Sequence, residues 1–274
     1  MSGDQARYWA EEGGPNWVRD ESVYEAMLAP FDAVLLDALA PAAGERVLEV
    51  GCGFGATACA LAATGAVVHG VDVAPAMVAR ARERAAEAGV DPTFAVADAE
   101  TDPLGGPFDA VASRFGVMFF ADPVRAFANV ATATRAGGRL TFVCWQPVEC
   151  NPWMGRPVQV VRGLLADPPP PPPPGPGPFA FGDPAYVADV LDRAGWHDVV
   201  SEPFTPSLRL GGAGGVAGAV DQVLSSSAAR VLLDVADPAV RDRAVELLTA
   251  EFTELVVDGA VTVPAAAWVV TARR

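Results

Sequence analysis

The stretch Arg46–Leu61, RVLEVGCGFGATACAL, decides the fold. Val47 to Val50 has the near-continuous apolar character of a parallel strand buried on both faces. Gly51, Gly53 and Gly55 follow at alternate positions, where glycine adopts backbone angles closed to other residues and lets a ligand approach the main chain. Ala56 to Ala63 then starts a helix whose first amide groups point at whatever lies over the turn. An apolar strand, a glycine turn and a helix in this order predict an α/β sheet with a nucleotide-like cofactor at the turn.

Two cofactor readings meet at this loop. Gly51, Gly53 and Ala56 satisfy the dinucleotide fingerprint G-x-G-x-x-G/A, and Asp72 lies about twenty residues further on, where a ribose ligand belongs. Glu49 tilts the balance. A dinucleotide brings an anionic pyrophosphate, which is drawn to amides and a helix N-terminus rather than to a carboxylate at the strand end. Glu49 and the glycines together make E-x-G-x-G-x-G, which resembles the first motif of class I S-adenosylmethionine-dependent methyltransferases. That cofactor carries an ammonium and a sulfonium, which an acid favours. The resemblance implies S-adenosylmethionine as cofactor, with contacts from Glu49, Gly51, Gly53 and Gly55.

Downstream spacing agrees. Ala66 to Val71 is a second apolar run ending in Asp72, where a carboxylate can accept both ribose hydroxyls, and Pro75 opens a helix towards Gly89. Thr93 to Ala97 is a third strand ending at Asp98, which the resemblance assigns to the adenine amino group. Taken singly, Asp72 is also a helix cap and Asp98 a turn residue. Three acids at the carboxyl ends of successive strands fit the ligand edge of an open α/β sheet. Phe108 to Ser113 is the fourth strand, Asp122-Pro123 caps the next helix, and Gly137-Gly138 leads into a fifth strand, Leu140 to Trp145.

His197 to Phe204 reads as the sixth strand and Ala265 to Ala272 as the last. The resemblance implies a Rossmann-like mixed sheet of seven strands in the order 3-2-1-4-5-7-6, the last two antiparallel. Roughly sixty residues separate them, far beyond hairpin loops of about 2–5 residues. The expected organisation is an N-terminal helical arm (1–45), a core (46–210) with a proline-rich loop (167–178), an insertion (211–262) read as a helical lid, and the last core strand (263–274). A dimerisation element is the other reading of the insertion. Pro168 to Pro174 is expected to be polyproline II or irregular.

At 274 residues and 51% hydrophobic the chain can bury a full core. It has no lysine, so all 19 basic residues are arginine, and its net charge of −15 argues against nucleic acid or an anionic membrane as partner. The four cysteines make no C-x-x-C and only two histidines are present, so no metal site is expected. No apolar run resembles a signal peptide core or spans a bilayer, which predicts a cytoplasmic protein.

Site candidates beyond the cofactor motif come from position. Trp17, Tyr24 and Met27 of the arm are candidate walls for cofactor or substrate. Phe115 and Trp145 lie at the ends of the fourth and fifth strands, Asn151 and Trp153 leave the fifth at the ligand-binding edge, and Phe179 and Phe181 re-enter the fold after the proline tract; the aromatic ones suggest a small organic acceptor of some hydrophobicity. A general base is needed only when the acceptor is protonated at working pH. His69 lies within the second strand and His197 at the far edge of the sheet. Arg114 has two equal readings, a grip on an anionic acceptor or a structural ion pair, and Glu149 is a base candidate through position alone. This points to methylation of a carboxylate, a phenol or an activated carbon, as in natural-product tailoring. An NAD(P)-dependent oxidoreductase and a non-catalytic cofactor-binding protein are the rival readings, and the oligomeric state is open.

Overall fold

A computed structural model describes residues 3–171, 173, 175–225 and 227–274; Pro172 and Pro174 of the proline tract lie outside the described residues. The apolar runs become the strands of one sheet: β1 (Arg46–Val50), β2 (Val67–Asp72), β3 (Thr93–Val96), β4 (Phe108–Arg114), β5 (Thr134–Trp145) and β6 (His197–Phe204). After them come β7 (Ser207–Leu210), β8 (Val256–Val257), β9 (Ala260–Pro264) and β10 (Ala267–Arg273). The main sheet runs β3-β2-β1-β4-β5-β10-β6, the expected order with the final strand inserted antiparallel between β5 and β6. Strand β5 starts earlier than Leu140, because Gly137 N and Arg274 N exchange bonds with Arg274 O and Gly138 O and carry the pairing into the glycine turn.

The helices are α1 (Gly3–Tyr8), α2 (Gly14–Arg19), α3 (Glu21–Leu39), α4 (Ala56–Ala63), α5 (Pro75–Ala88), α6 (Pro123–Ala133), α7 (Pro152–Leu164), α8 (Pro184–Arg193), α9 (Gly215–Leu224), α10 (Ser227–Asp234) and α11 (Pro238–Thr253). Period-two alternation divides the strand side chains between two faces. On one face α3 lies along β4 and β5, tied by Arg114 at the carboxyl end of β4 and, at the other end, by Arg139 Nε on Leu39 O. On the opposite face Phe127 of α6 packs on Phe142 of β5, and the buried Trp196 donates its indole N–H to Phe127 O at 3.0 Å.

The insertion between β6 and β10 is not wholly helical. Strands β7, β9 and β8 form a second, three-stranded sheet, and α9, α10 and α11 pack with α7. The alternating residues of Leu208, Leu210, Val261 and Val263 are buried, a period-two signal that the short strands make easy to overlook. No helix among the described residues is long and apolar enough to cross a membrane, and those residues contain no metal-binding cluster.

Asn151 joins the two sheets' surroundings. Fully buried, it donates through Nδ2 to Gln146 O and Ala266 O and accepts from Ala266 N at 2.9 Å. It therefore pins the turn after β5 to the entry of β10, which is a structural role in place of the expected substrate contact. Asn151→Ala strands these buried backbone groups and is expected to lower stability by about 2–4 kcal/mol, several times a single hydrogen bond's net worth. Urea denaturation checks this, and an unchanged midpoint would remove the clamp.

Candidate functional site

The site is built where β1, β2 and β4 end. Asp72, the last residue of β2, accepts from Gly53 N through Oδ2 and from Ala74 N through Oδ1, both at 2.9 Å. The carboxylate thus shapes the glycine loop as well as terminating its strand. Burial pushes its pKa up, and the backbone N–H groups of Ala74 and Gly53 pull against that shift. A carboxylate offers about four lone-pair sites, so acceptor capacity remains for a ligand.

The three glycines have different tasks. A Cβ on Gly51 would stand 2.7 Å from Gly116 Cα, so this glycine lets the loop after β4 close on the loop after β1. A Cβ on Gly55 would stand 2.8 Å from Ala81 Cβ, so it seats the start of α4 against α5. At Gly53, with φ +52°, the only neighbour of such a Cβ among the described residues is Met77 Sδ at 4.0 Å. The middle glycine is therefore the one that presents open main chain to a ligand.

Glu49 lies beneath this loop, 1% exposed, and its Oε2 has no hydrogen-bond partner. Desolvation drives its pKa well above the ordinary carboxylate range; Arg114 pulls it down, Asp32 and Asp72 push it up, and Thr57 favours the charged form. A buried acid without a full partner is costly unless something else supplies one. The α-ammonium of S-adenosylmethionine is a group of the required charge and size, so the residues present fit that cofactor.

Asp98 follows β3 in a tight acidic turn. Its Oδ1 accepts from Glu100 N at 3.0 Å, while its own N–H goes to Asp102 Oδ2. The buried Glu100 accepts from Ala121 N and Asp122 N, and so ties this turn to the loop after β4.

The arm covers the glycine loop. Trp17 stacks on Tyr24 with ring centres 4.0 Å apart and leans on Phe54, the residue between Gly53 and Gly55. Trp9, in a π-helical turn (Trp9–Gly13), contacts Trp17 on one side and Phe119 of the β4 loop on the other. Phe54, Ala74 and Met77 form a buried cluster with Trp9, Trp17, Val18 and Tyr24. Burial raises the Tyr24 phenol to about 12. Met27 takes no part in this cluster; it is buried in the main core, and its sulfur receives Gln222 Nε2 of α9 at 3.2 Å. Trp9, Phe54 and Met77 were not among the expected residues. The only sequence signal for them was density of aromatic and sulfur side chains near the loop, which names no partner.

Phe115, Trp145 and Trp153 do come together. Phe115 stacks on Trp145 at 4.1 Å, Trp153 meets Trp145 edge-on at 5.7 Å, and Phe31 of α3 closes the group. Phe115 has φ +59°, a conformation unfavourable for a side chain of this bulk. Trp153 Nε1 is buried without a partner. Phe181 is elsewhere: it packs with Phe127 and Phe142 on the opposite face, because its segment re-enters under α8, and Phe179 is half-buried on the same segment. Glu149 is exposed on the turn after β5. Arg114 takes the ion-pair arrangement, with Nη1 2.6 Å from Asp32 and Nη2 3.2 Å from Glu25. His69 Nδ1 meets Thr93 Oγ1 at 2.8 Å, and burial lowers its pKa, so it is a satisfied strand histidine.

Residues 48–142 match the family model described as a methyltransferase domain. The chain is 41% identical over 122 residues to the aklanonic acid methyltransferase DauC of Streptomyces sp. strain C5, covering 41% of this chain and 54% of that protein. It spans about half the length of the curated relatives it matches. Among solved structures, the YcgJ protein of Bacillus subtilis superposes with a TM-score of 0.60 at 18% identity, over 89% of this chain and 97% of that one. Magnesium protoporphyrin IX methyltransferase from Synechocystis PCC 6803, with bound S-adenosylhomocysteine, gives 0.56 at 20% identity over 76% and 93%. The strand order and the glycine loop with its acids agree with a methyltransferase domain over residues 48–142 and resemble those of class I S-adenosylmethionine-dependent methyltransferases.

Proposed function

We propose that this protein methylates a small organic acceptor with S-adenosylmethionine, at a carboxylate or phenol oxygen or at an activated carbon. The observation that carries the reading is Glu49, a buried carboxylate with an unpartnered oxygen below a loop whose main chain Asp72 holds open. Bound S-adenosylmethionine supplies a methyl group already activated on sulfonium. The protein's work is therefore alignment and exclusion of water. Glu49 would pair the ammonium, Asp72 would accept ribose hydroxyls, and Gly53 would admit the cofactor against the backbone. The rings of Trp9, Trp17 and Tyr24 keep bulk water from the loop. Fixing the two reactants in line can supply on the order of 7–11 kcal/mol of the barrier.

Three features support the acceptor class. The aromatic group of Phe115, Trp145 and Trp153 stands at the ends of β4 and β5, one residue from the Gly116 that touches Gly51. Both histidines lie away from that edge, at Thr93 and at Asp198, which favours an acceptor needing little help in losing a proton. Two proteins similar to this chain are named for small organic acceptors, aklanonic acid and magnesium protoporphyrin IX. A nicotinamide dinucleotide would set its pyrophosphate above the buried acid, which is electrostatically adverse.

Calorimetric titration tests the cofactor. S-adenosylmethionine and S-adenosylhomocysteine are expected to bind, and Asp72→Ala to weaken both by at least about tenfold, the loss of roughly 1.4 kcal/mol. Binding of NADH or NADPH alone would overturn the reading. The pH dependence adds a second check. The ionised form of Glu49 is the one that pairs an ammonium, and its pKa is raised in the folded protein. Affinity for S-adenosylhomocysteine should therefore rise with pH and level off once Glu49 is ionised. Glu49→Gln should flatten that rise; an unchanged slope would take Glu49 out of the contact.

A further inference from the structure

Glu49 does not stand alone under the loop. In the sheet it is registered opposite Ala112, and Arg114 is one step further along the same face of β4. The guanidinium, its side chain 9% exposed, reaches from there to two carboxylates of α3, Asp32 and Glu25. Asp32 in turn receives the Thr57 hydroxyl of α4 at 2.6 Å. Beyond Glu25 the pairing continues through Arg84 to Glu21, then through Arg80 to Glu87 on α5. Removing one member of such a set leaves its partners uncompensated.

We propose that Arg114 is a positioning residue for the cofactor: clamped between Asp32 and Glu25, it supplies the counter-charge that keeps Glu49 available to an incoming ammonium. The inference rests on the cofactor reading above. The arginine does not confront the ammonium as a free cation, because two carboxylates already hold it. With Arg114 removed, Asp32, Asp72 and Glu49 would crowd three acids under one loop, and Glu49 would take up a proton instead of a ligand. The charged and titratable groups facing Glu49 are Arg114 from β4, Asp32 from α3, Asp72 from β2, Cys52 from the loop and Cys59 from α4, where the Thr57 hydroxyl is donated to Asp32. Asp32 and Arg114 thus act on Glu49 in opposite directions.

The test compares two ligands that differ in the amino-acid tail. S-adenosylhomocysteine carries the ammonium, whereas 5′-methylthioadenosine lacks it and keeps the ribose and adenine. In Arg114→Met, affinity for S-adenosylhomocysteine near neutral pH should fall about tenfold, and its rise with pH should move up by about one unit, the same factor in the other measure. Asp32→Asn should move that rise down, and Arg114→Lys should restore most of the wild-type profile. Binding of 5′-methylthioadenosine should stay within about twofold throughout. A purely structural arginine would weaken both ligands alike in Arg114→Met and leave the pH profile in place, which would overturn the proposal. Should Arg114→Met fail to fold, Asp32→Asn decides, since an unmoved pH profile contradicts the inference. Failure of the wild-type protein to bind either ligand would sink the cofactor reading itself, a separate outcome.

Discussion

A carboxylate buried at the end of the first strand is the constraint on which the rest of the site depends. Glu49 is kept from water by the glycine loop above it and by α3 and α4 beside it, and no hydrogen-bond partner among the described residues satisfies its second oxygen. Placing an ionisable group there costs stability that apolar packing would have contributed. The surrounding structure reads as an answer to that cost. Asp32, Arg114 and Thr57 hold a hydrogen-bonded charge network beside it, and Asp72 orders the glycine loop above it.

The arm belongs to the same logic. Its aromatic residues form a small cluster with Phe54 and Met77, and Trp17 and Tyr24 pack against the main core as well. Its next helix carries Glu21, Glu25 and Asp32, the acids that run the ion-pair chain from α5 to β4. Short segments docked through a few side chains open more readily than the strands of a packed core. A cover of this kind can close the cofactor in without blocking its entry.

Much of the fold was legible because its signals are local. Three glycines at alternate positions need left-handed or closely approached backbone, and the acids ending β1, β2 and β3 mark one edge of a sheet. The order of the last strands came from the family resemblance, not from periodicity. What the sequence concealed was long-range. Arg114 meets Asp32 across 82 positions and Asn151 meets Ala266 across 115, and nothing in either neighbourhood names the partner. Phe181 was misplaced for the same reason, since its segment's route under α8 decides which face of the sheet it joins. The strands of the insertion, five residues or fewer, carry too few alternations to stand out from the helices around them.

The orphan oxygen of Glu49 is the proposed receptor for a cofactor ammonium. A crystal structure of the protein with S-adenosylhomocysteine tests it most directly. The ammonium nitrogen is expected within about 3 Å of Glu49 Oε2, or joined to it through one ordered water, with the ribose hydroxyls on Asp72. Density for the ligand with its amino group held elsewhere, and Glu49 still buried without a partner, would contradict it.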